Sequence, residues 1–293
     1  MNADILSSAI DWNQIWKETI RQHKMIYSNY PEGKNSINLR FSNCFSYLIH
    51  RWNDTIGFDK GIKNIPIKNN FKILDVGAGP GTHSIPLSKM VKHITAIEPS
   101  NGMINCLRER IRENEINNIS CVQKRWEDVD LTQDLDCPYD LVLASFSLIM
   151  DDIELAIEKM MRASSCYVYL IWHIGMPSWE KLYVHLWKSL FQIPYYPIPK
   201  ANCLFNVLNQ MNIYPNIETF IMDNFYSFKT KNEAYNHFKN ELMLTKKNQK
   251  YVLKNYLYST LKKENGHFIL DGSSHYAIIW WKKTKQHMSV ITG

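Results

Sequence analysis

The sequence has no apolar run long enough to cross a lipid bilayer. The longest, LVLASFSLIM at residues 141–150, has the length of a buried strand, whereas a membrane-spanning helix needs about 18 or more consecutive apolar residues. The N-terminus has Asp4 early and lacks a basic segment followed by an apolar one, so no secretory signal is expected. These absences predict a soluble, cytoplasmic protein with no membrane partner.

Cysteine is scarce, and its spacing excludes common metal and redox motifs. The six cysteines are scattered without a Cys-x-x-Cys pair, the spacing that zinc ribbons and redox dithiols use. We therefore expect buried free thiols and no bound metal.

The sequence also lacks a long block of charge of one sign. A formal net charge of +6 would suit an anionic partner. However, the basic residues are spread along the chain. The densest clusters, Lys246-Lys247 and Lys262-Lys263, lie among helix-like residues where solvated faces are expected. This spread argues against nucleic acid as a partner, and the sequence leaves the oligomeric state open.

From residue 71 onward, short apolar runs alternate with helical segments. Strands are predicted at 71–76, 93–99, 119–125, 139–146, 166–172, 218–228 and 275–283. Strands separated by helices of this length imply right-handed crossovers and a parallel sheet with helices on both faces. The pattern therefore predicts a doubly wound α/β core.

The regions that flank this pattern differ in texture. Residues 4–24 and 36–54 have apolar side chains at three- and four-residue spacings, which is typical of amphipathic helices. We therefore predict that residues 1–66 form a helical N-terminal lid over a core that spans residues 67–293. Within that core, prolines and aromatic residues interrupt the pattern at about 176–217, and this segment is predicted to be a cap inserted over one end of the sheet.

A glycine-rich turn, DVGAGPG, follows the first predicted strand. Glycine permits positive φ angles and a close approach of the main chain to a ligand, and ligands of open parallel sheets bind beyond the carboxyl ends of the strands. A dinucleotide site has the spacing Gly-x-Gly-x-x-Gly. Here Gly77, Gly79 and Gly81 are spaced Gly-x-Gly-x-Gly, and Thr82 stands where the third glycine of a dinucleotide site would fall.

The turn resembles the first motif of the class I S-adenosylmethionine-dependent methyltransferases, and the resemblance extends from about residue 70 to 175. It implies that S-adenosylmethionine is the cofactor and that the two late strands complete a seven-stranded, mostly parallel sheet. Glu98 stands where the family has an acidic residue that accepts hydrogen bonds from both ribose hydroxyls. The segment from Pro99 to Met103 resembles the family's E-P-S-x-x-M, in which the methionine packs on the adenine.

The resemblance also implies a set of cofactor-binding residues. They are Asp75, Gly77, Ala78, Gly79, Gly81, His83, Glu98, Pro99, Met103, Ala144 and Ser145. After the third strand the family often has an aspartate that binds the adenine amino group. This chain departs from that pattern, and Trp126 and Glu127 are the candidates there for a stacking face and an acceptor.

The residues after the fourth strand bear on the methyl acceptor. Enzymes that methylate the amino groups of bases have an Asp/Asn-Pro-Pro-Tyr/Phe turn there, whereas this chain has Ala144-Ser145-Phe146-Ser147. A small-molecule acceptor is therefore predicted. A methyltransferase that acts on RNA or protein, a cofactor-binding protein without activity, and a nucleotide-dependent oxidoreductase remain as alternatives.

The predicted reaction needs alignment more than chemical assistance. The sulfonium activates its own methyl group, so holding donor and acceptor in line is the protein's main contribution, and a base is needed only if the acceptor arrives protonated. His173, just after the fifth strand, is the candidate base; the alternative is a histidine satisfied by a backbone carbonyl. The candidate acceptor contacts are Tyr27, Tyr30, Arg40, Trp52 and Phe146.

Overall fold

The computed structural model describes residues 10–28, 65–223, 226–270 and 272–283. Within them the helices are α1 (Trp12–Ser28), α2 (Ser84–Ser88), α3 (Asn101–Glu113), α4 (Ile153–Ala163), α5 (Ser178–Phe191), α6 (Ala201–Gln210), α7 (Lys231–Glu241) and α8 (Lys247–Thr260). The strands are β1 (Lys72–Val76), β2 (His93–Ile97), β3 (Ile119–Val122), β4 (Tyr139–Ser145), β5 (Ser164–Ile174), β6 (Asn216–Asp223), β7 (Tyr226–Phe228), β8 (Lys262–Glu264), β9 (His267–Leu270) and β10 (Ser273–Lys282). None of the helices in these ranges combines the length and the apolar character that a membrane span needs.

Seven strands form one sheet in the order β3-β2-β1-β4-β5-β10-β6. Strands β1 to β5 pair in parallel, and β10 runs antiparallel to both of its neighbours, β5 and β6. The predicted doubly wound, seven-stranded and mostly parallel sheet is therefore confirmed. Its strands are near-continuous apolar runs because helices cover both faces.

Alternate residues of each strand supply the two faces of the sheet. Trp172 of β5 lies in a core cluster with Trp16 of α1, Ile157 of α4 and Leu204 of α6. Its neighbour Ile171 points the other way, into a cluster that contains Leu87 of α2. All six of these side chains are almost completely buried, so both faces stabilise the sheet through the hydrophobic effect.

A second, smaller unit is inserted between β6 and β10. It contains α7, α8 and a three-stranded antiparallel sheet in the order β7-β9-β8, and we call residues 226–270 the cap insert. Its core joins Phe238 and Leu257 to Leu182 and Trp187 of α5. Because β6 runs parallel to β5 and β10 runs against both, α5 and the cap insert leave and rejoin the main sheet at its carboxyl edge.

The predicted segments differ from the structure in two places. The predicted strand at 218–228 is two strands, β6 in the main sheet and β7 in the smaller one. The segment predicted as a cap, 176–217, is divided as well: α5 packs against the cap insert, whereas α6 packs in the main core. The second predicted N-terminal helix, at 36–54, lies outside the described residues, and a lid formed by residues 1–66 stays a prediction.

Candidate cofactor and acceptor site

The glycine turn lies at the carboxyl edge of the sheet, between β1 and α2. Gly77, Gly79 and Gly81 have φ angles of 74°, 57° and 86°, which glycine adopts without strain. The turn is fixed to the end of β2, because the backbone amides of Gly77 and Ala78 both donate to the carbonyl of Ile97 at 2.8 and 2.9 Å. The sequence-predicted turn is therefore a rigid feature of the sheet edge.

Two of the three glycines are required by packing inside the protein. A Cβ atom on Gly77 would overlap with the Cβ atom of Ser147, and one on Gly81 would overlap with the side chain of Leu107 in α3. Ser147 can lie this close because its hydroxyl donates to the carbonyl of Val76 at 2.6 Å. The remaining glycine of the turn, Gly79, donates its amide to Glu98.

Glu98 connects the turn to the next helix. Its Oε2 atom accepts from the amide of Gly79 at 2.9 Å, and its Oε1 atom accepts from the amide of Ser100 at 2.8 Å. Burial raises the pKa of Glu98, and the two backbone hydrogen bonds oppose that shift. A carboxylate has about four lone-pair sites, so each oxygen keeps one for a hydroxyl. This geometry fits a vicinal diol such as that of a ribose.

Asp75 is satisfied within the protein. Its carboxylate is buried and accepts from the hydroxyl of Ser84 at 2.6 Å, which ties β1 to the start of α2. Burial raises the pKa of Asp75 to about 6, against the effect of the Ser84 hydrogen bond, and the charge of Glu98 adds to the rise. Asp75 therefore supports the glycine turn from the strand.

His83 joins the glycine turn to the end of β4. Its Nε2 atom lies 2.8 Å from the hydroxyl of Ser145, the last residue of that strand. The imidazole is buried, and burial lowers its pKa to about 4, so it is neutral at physiological pH. The preceding strand residue, Ala144, is fully buried, whereas Ser145 is partly exposed. Two predicted site residues from separate motifs are thus brought into contact.

The residues predicted to contact the adenine differ in burial and in their partners. Met103 is buried in the first turn of α3, where its amide donates to the Ser100 hydroxyl, while Pro99 is exposed. Trp126 packs in the main core, and its indole nitrogen donates to the carbonyl of Ala156 at 3.0 Å. These contacts differ from the open stacking face that the sequence predicted. Glu127 forms an exposed ion pair with Arg125.

An aromatic cluster occupies the same edge beyond β4 and β5. Phe146 directly follows β4 with a φ of 54°, an angle that is uncommon for a residue other than glycine and often marks functional sites. Its ring centroid lies 5.1 Å from that of His173 and 5.0 Å from that of Tyr276, and Tyr276 also lies 5.5 Å from Phe220. The structure therefore brings the predicted residues Phe146 and His173 together.

The electrostatic setting of His173 keeps its ring neutral. Burial lowers the pKa of His173 to about 3, and the positive charge of Lys200 contributes in the same direction. Because the imidazolium is so disfavoured, His173 is a weak base near pH 7. It can still accept or donate a hydrogen bond.

A buried ion pair near His173 was not found from the sequence. Lys200 lies 2.5 Å from Glu180, whose side chain has no exposed surface, and the amide of Ile198 donates to the other Glu180 oxygen at 3.2 Å. Burial raises the pKa of Glu180 and lowers that of Lys200, while each partner opposes the shift of the other. The pair holds the start of α5 to the start of α6, and no sequence spacing signals it.

The side chains of the other four predicted acceptor contacts are not among those that the structure describes. Tyr30, Arg40 and Trp52 lie outside the described residues, and Tyr27 belongs to α1 without a described side chain.

The described cysteines are free, but only Cys203 is buried, which corrects the expectation of buried thiols. No group of three or more His, Cys, Asp or Glu side chains suited to a metal occurs in the described part of the chain.

Comparisons with known proteins agree with this architecture. The family model named methyltransferase domain matches residues 73–165. An uncharacterized protein of Haemophilus influenzae is 32% identical over 106 residues, covering 36% of this chain and 38% of the relative. The probable ribosomal RNA small subunit methyltransferase A of Methanosphaera stadtmanae is 32% identical over 62 residues, covering 21% and 23%. The alignments thus span well under half the length of these curated relatives.

A solved structure supports the fold beyond the matched segment. The crystal structure of a candidate methyltransferase from Bacillus halodurans C-125 superposes with a TM-score of 0.55 at 13% identity, covering 77% of this chain and 98% of that one. Residues 73–165, which include the glycine turn and Glu98, are therefore similar to a methyltransferase domain, and the fold of the chain is that of the methyltransferase-like α/β structures.

Proposed function

We propose that this chain transfers a methyl group from S-adenosylmethionine to a small-molecule acceptor by direct in-line displacement. The observation that carries the proposal is the hydrogen bond between His83 and Ser145. It places the cofactor turn against the end of β4, where Phe146 and His173 begin the aromatic cluster. A methyl donor bound at the glycine turn and an acceptor bound at the aromatic cluster would therefore lie next to each other.

On this proposal, the cofactor is held by main chain and carboxylate. Glu98 accepts hydrogen bonds from the ribose hydroxyls, the backbone at Gly79 approaches the ligand, and Met103 contributes an apolar surface. The bound sulfonium supplies an activated methyl group. The protein's own task is then to align the acceptor and exclude water, which accelerates a transfer by holding the reactants in a near-attack geometry.

The acceptor side is apolar with few polar groups. The ring centroid of Tyr276 lies 5.0 Å from that of Phe146 and 5.5 Å from that of Phe220. Such apolar surroundings suit a small ligand that the protein encloses. His173 supplies a neutral hydrogen-bonding group that orients the acceptor. Its lowered pKa makes it less suited to act as a general base, so an acceptor with a free lone pair fits best.

The direct test is methyl transfer from radiolabelled S-adenosylmethionine to a cell extract separated by molecular size. We expect label in the small-molecule fraction, and we expect His173→Gln to reduce it while cofactor affinity is kept. The matched control is His185→Gln, because His185 is exposed on α5. Label found only in RNA or protein would replace the proposed acceptor class. Cofactor binding without label in any fraction would indicate a binding protein.

A further inference from the structure

The net charge of the chain is concentrated in the cap insert. Residues 226–270 contain nine lysines and three acidic residues, so they have a formal net charge of +6, equal to the +6 of the whole chain. The basic and acidic residues elsewhere cancel. The excess of basic over acidic residues therefore lies on one unit of the fold, which gives that unit an electrostatic attraction for anions.

One side of α8 combines this charge with exposed aromatic rings. Lys247, Tyr251, Lys254 and Tyr258 follow one another at spacings of four, three and four residues, which places them on one face of a helix. All four are exposed, with 67% of Tyr251 and 37% of Tyr258 accessible to solvent. We call these four residues the Lys/Tyr face.

The Lys/Tyr face points away from the rest of the protein. The opposite side of α8 buries Leu253 and Leu257 in the core of the cap insert, and Gln249 donates to the carbonyl of Leu190 in α5 at 2.9 Å. The Lys/Tyr face therefore cannot line an acceptor pocket beneath the cap insert. A ligand of this face must come from outside, and one that contacts all four residues must span about three turns of the helix.

The charges on α8 are not compensated within the protein. The helix has no acidic residue, and Lys247, Lys250 and Lys254 form no ion pair with any described residue. Lys246 and Lys247 also stand at the start of the helix, where the helix dipole disfavours positive charge. The positive charges therefore do not stabilise the helix, and an anionic partner would account for them.

The aromatic rings favour one class of anion. The ammonium groups of Lys231 and Lys254 each lie 5.3 Å from the ring centroid of Tyr258. The side chain of Tyr251 is exposed to solvent. Lysines that contact phosphates and exposed rings on which bases stack are the two components of single-strand binding surfaces. A helix that enters a lipid surface would instead expose large aliphatic or tryptophan side chains.

We propose that the Lys/Tyr face binds single-stranded nucleic acid, with Lys247 and Lys254 contacting phosphates and Tyr251 stacking on a base. This inference goes beyond the methyl transfer proposed above and does not depend on it, because it concerns the outer surface of the cap insert. It is the opposite of the expectation from the linear sequence, in which the spread of the basic residues argued against nucleic acid as a partner.

The test is fluorescence anisotropy of the full chain, without cofactor, titrated into labelled oligouridylate and oligothymidylate of about 12 nucleotides. We expect saturable binding that weakens steeply between about 50 and 200 mM salt. Replacing both face lysines, Lys247→Gln with Lys254→Gln, should lower the salt slope by about 1.4 and weaken binding about 25-fold at 0.1 M salt, because each phosphate contact on a single strand contributes about 0.7 to that slope. Tyr251→Ser should weaken binding roughly tenfold.

The matched control replaces two exposed lysines of the main domain, Lys89→Gln with Lys92→Gln, which removes the same charge from a different surface. Circular dichroism of each variant checks that it is folded. The proposal is overturned if neither oligonucleotide binds at low salt, or if the control pair weakens binding as much as the face pair. Lysine-dependent binding to vesicles of anionic phospholipid, without oligonucleotide binding, would identify a membrane surface instead.

Discussion

Each of the three glycines in the turn after β1 has a positive φ, yet their neighbours differ. The space beside Gly77 is filled by Ser147 and that beside Gly81 by Leu107, so at these positions the absence of a side chain lets other parts of the fold come close. The first and last glycines of the Gly-x-Gly-x-Gly spacing are thus packing requirements.

We expect Gly77→Ala and Gly81→Ala to destabilise the fold by about 2 to 5 kcal/mol, because each adds overpacking to the strain of a positive φ. Gly266→Ala is the matched control. Gly266 also has a positive φ, of 78°, but no atom lies within 4 Å of an added Cβ, so only the strain of about 1 to 2 kcal/mol applies. Urea denaturation measures all three. Equal losses at Gly77 and Gly266 would contradict the packing role.

The two buried histidines, His83 and His173, should make the stability of the protein depend on pH. Burial lowers the pKa of His83 to about 4 and that of His173 to about 3, whereas an unfolded histidine titrates near about 6.5. Below that pH the unfolded state binds more protons, so the free energy of unfolding falls as the pH falls. As the pH falls from about 6.5 to 5.5, each histidine should lower the free energy of unfolding by about 1 kcal/mol.

This pH effect is isolated by comparing the native chain with His173→Gln. The comparison is needed because the raised pKa of Asp75, about 6, acts in the opposite direction over part of the range. We expect the difference in unfolding free energy between the two proteins to shrink by about 1 kcal/mol from pH 6.5 to 5.5. A difference that is independent of pH would show that His173 titrates normally.

Among the elements, α1 links the two hydrophobic cores. Trp16 and Ile20 have no exposed surface and lie in the core of the main sheet, whereas Ile26, near the other end, lies in the core of the cap insert. The indole nitrogen of Trp16 donates to the carbonyl of Met150 at 3.1 Å. Burial of this kind fixes α1 in place, so any movement of an N-terminal lid must leave these contacts intact.

We expect Trp16→Ala to lower the free energy of unfolding by about 3 to 5 kcal/mol, the cost of removing a large buried aromatic side chain. Trp12→Ala is the control on the same helix, since Trp12 is only partly buried, and it should cost clearly less. Chemical denaturation gives both values. Similar losses for the two tryptophans would contradict the anchoring role of Trp16.

The elements of the main sheet could be predicted because their signals are local. A strand such as β1 is a short apolar run followed by glycines, and the periodicity of the next segment changes to that of a helix. The division of 218–228 into β6 and β7 could not be predicted, since both halves are rich in strand-forming residues and only the tertiary fold assigns them to different sheets.

The same distinction applies to the candidate site. The glycine turn and Glu98 follow from motif spacing, and His173 and Phe146 from the rule that parallel strands end at one edge. Tyr276 and the Glu180–Lys200 pair depend on contacts between distant segments, for which the sequence has no local pattern. The concentration of lysines on α8 was missed for a related reason, because a linear count does not show which residues share a face.

For the molecule as a whole, the two units of the fold differ in charge. The main domain is electrically balanced and holds the glycine turn, Glu98 and the aromatic cluster at one edge. The cap insert, which has the net charge, leaves and rejoins the sheet at that same edge. On the function proposed above, a methyl acceptor binds at this edge, while the outer side of the cap insert remains available to an external partner.

The central claim, an S-adenosylmethionine site at the glycine turn, is tested most directly by isothermal titration calorimetry of the native chain. We expect saturable binding of S-adenosylmethionine and S-adenosylhomocysteine and none of NADH. Glu98→Ala should weaken the binding by about ten- to a hundredfold, since a hydrogen bond to a charged group contributes about 1.5 to 3 kcal/mol, while the exposed control Glu109→Ala should leave it unchanged. Tight binding of NADH without binding of either adenosyl ligand would contradict the claim.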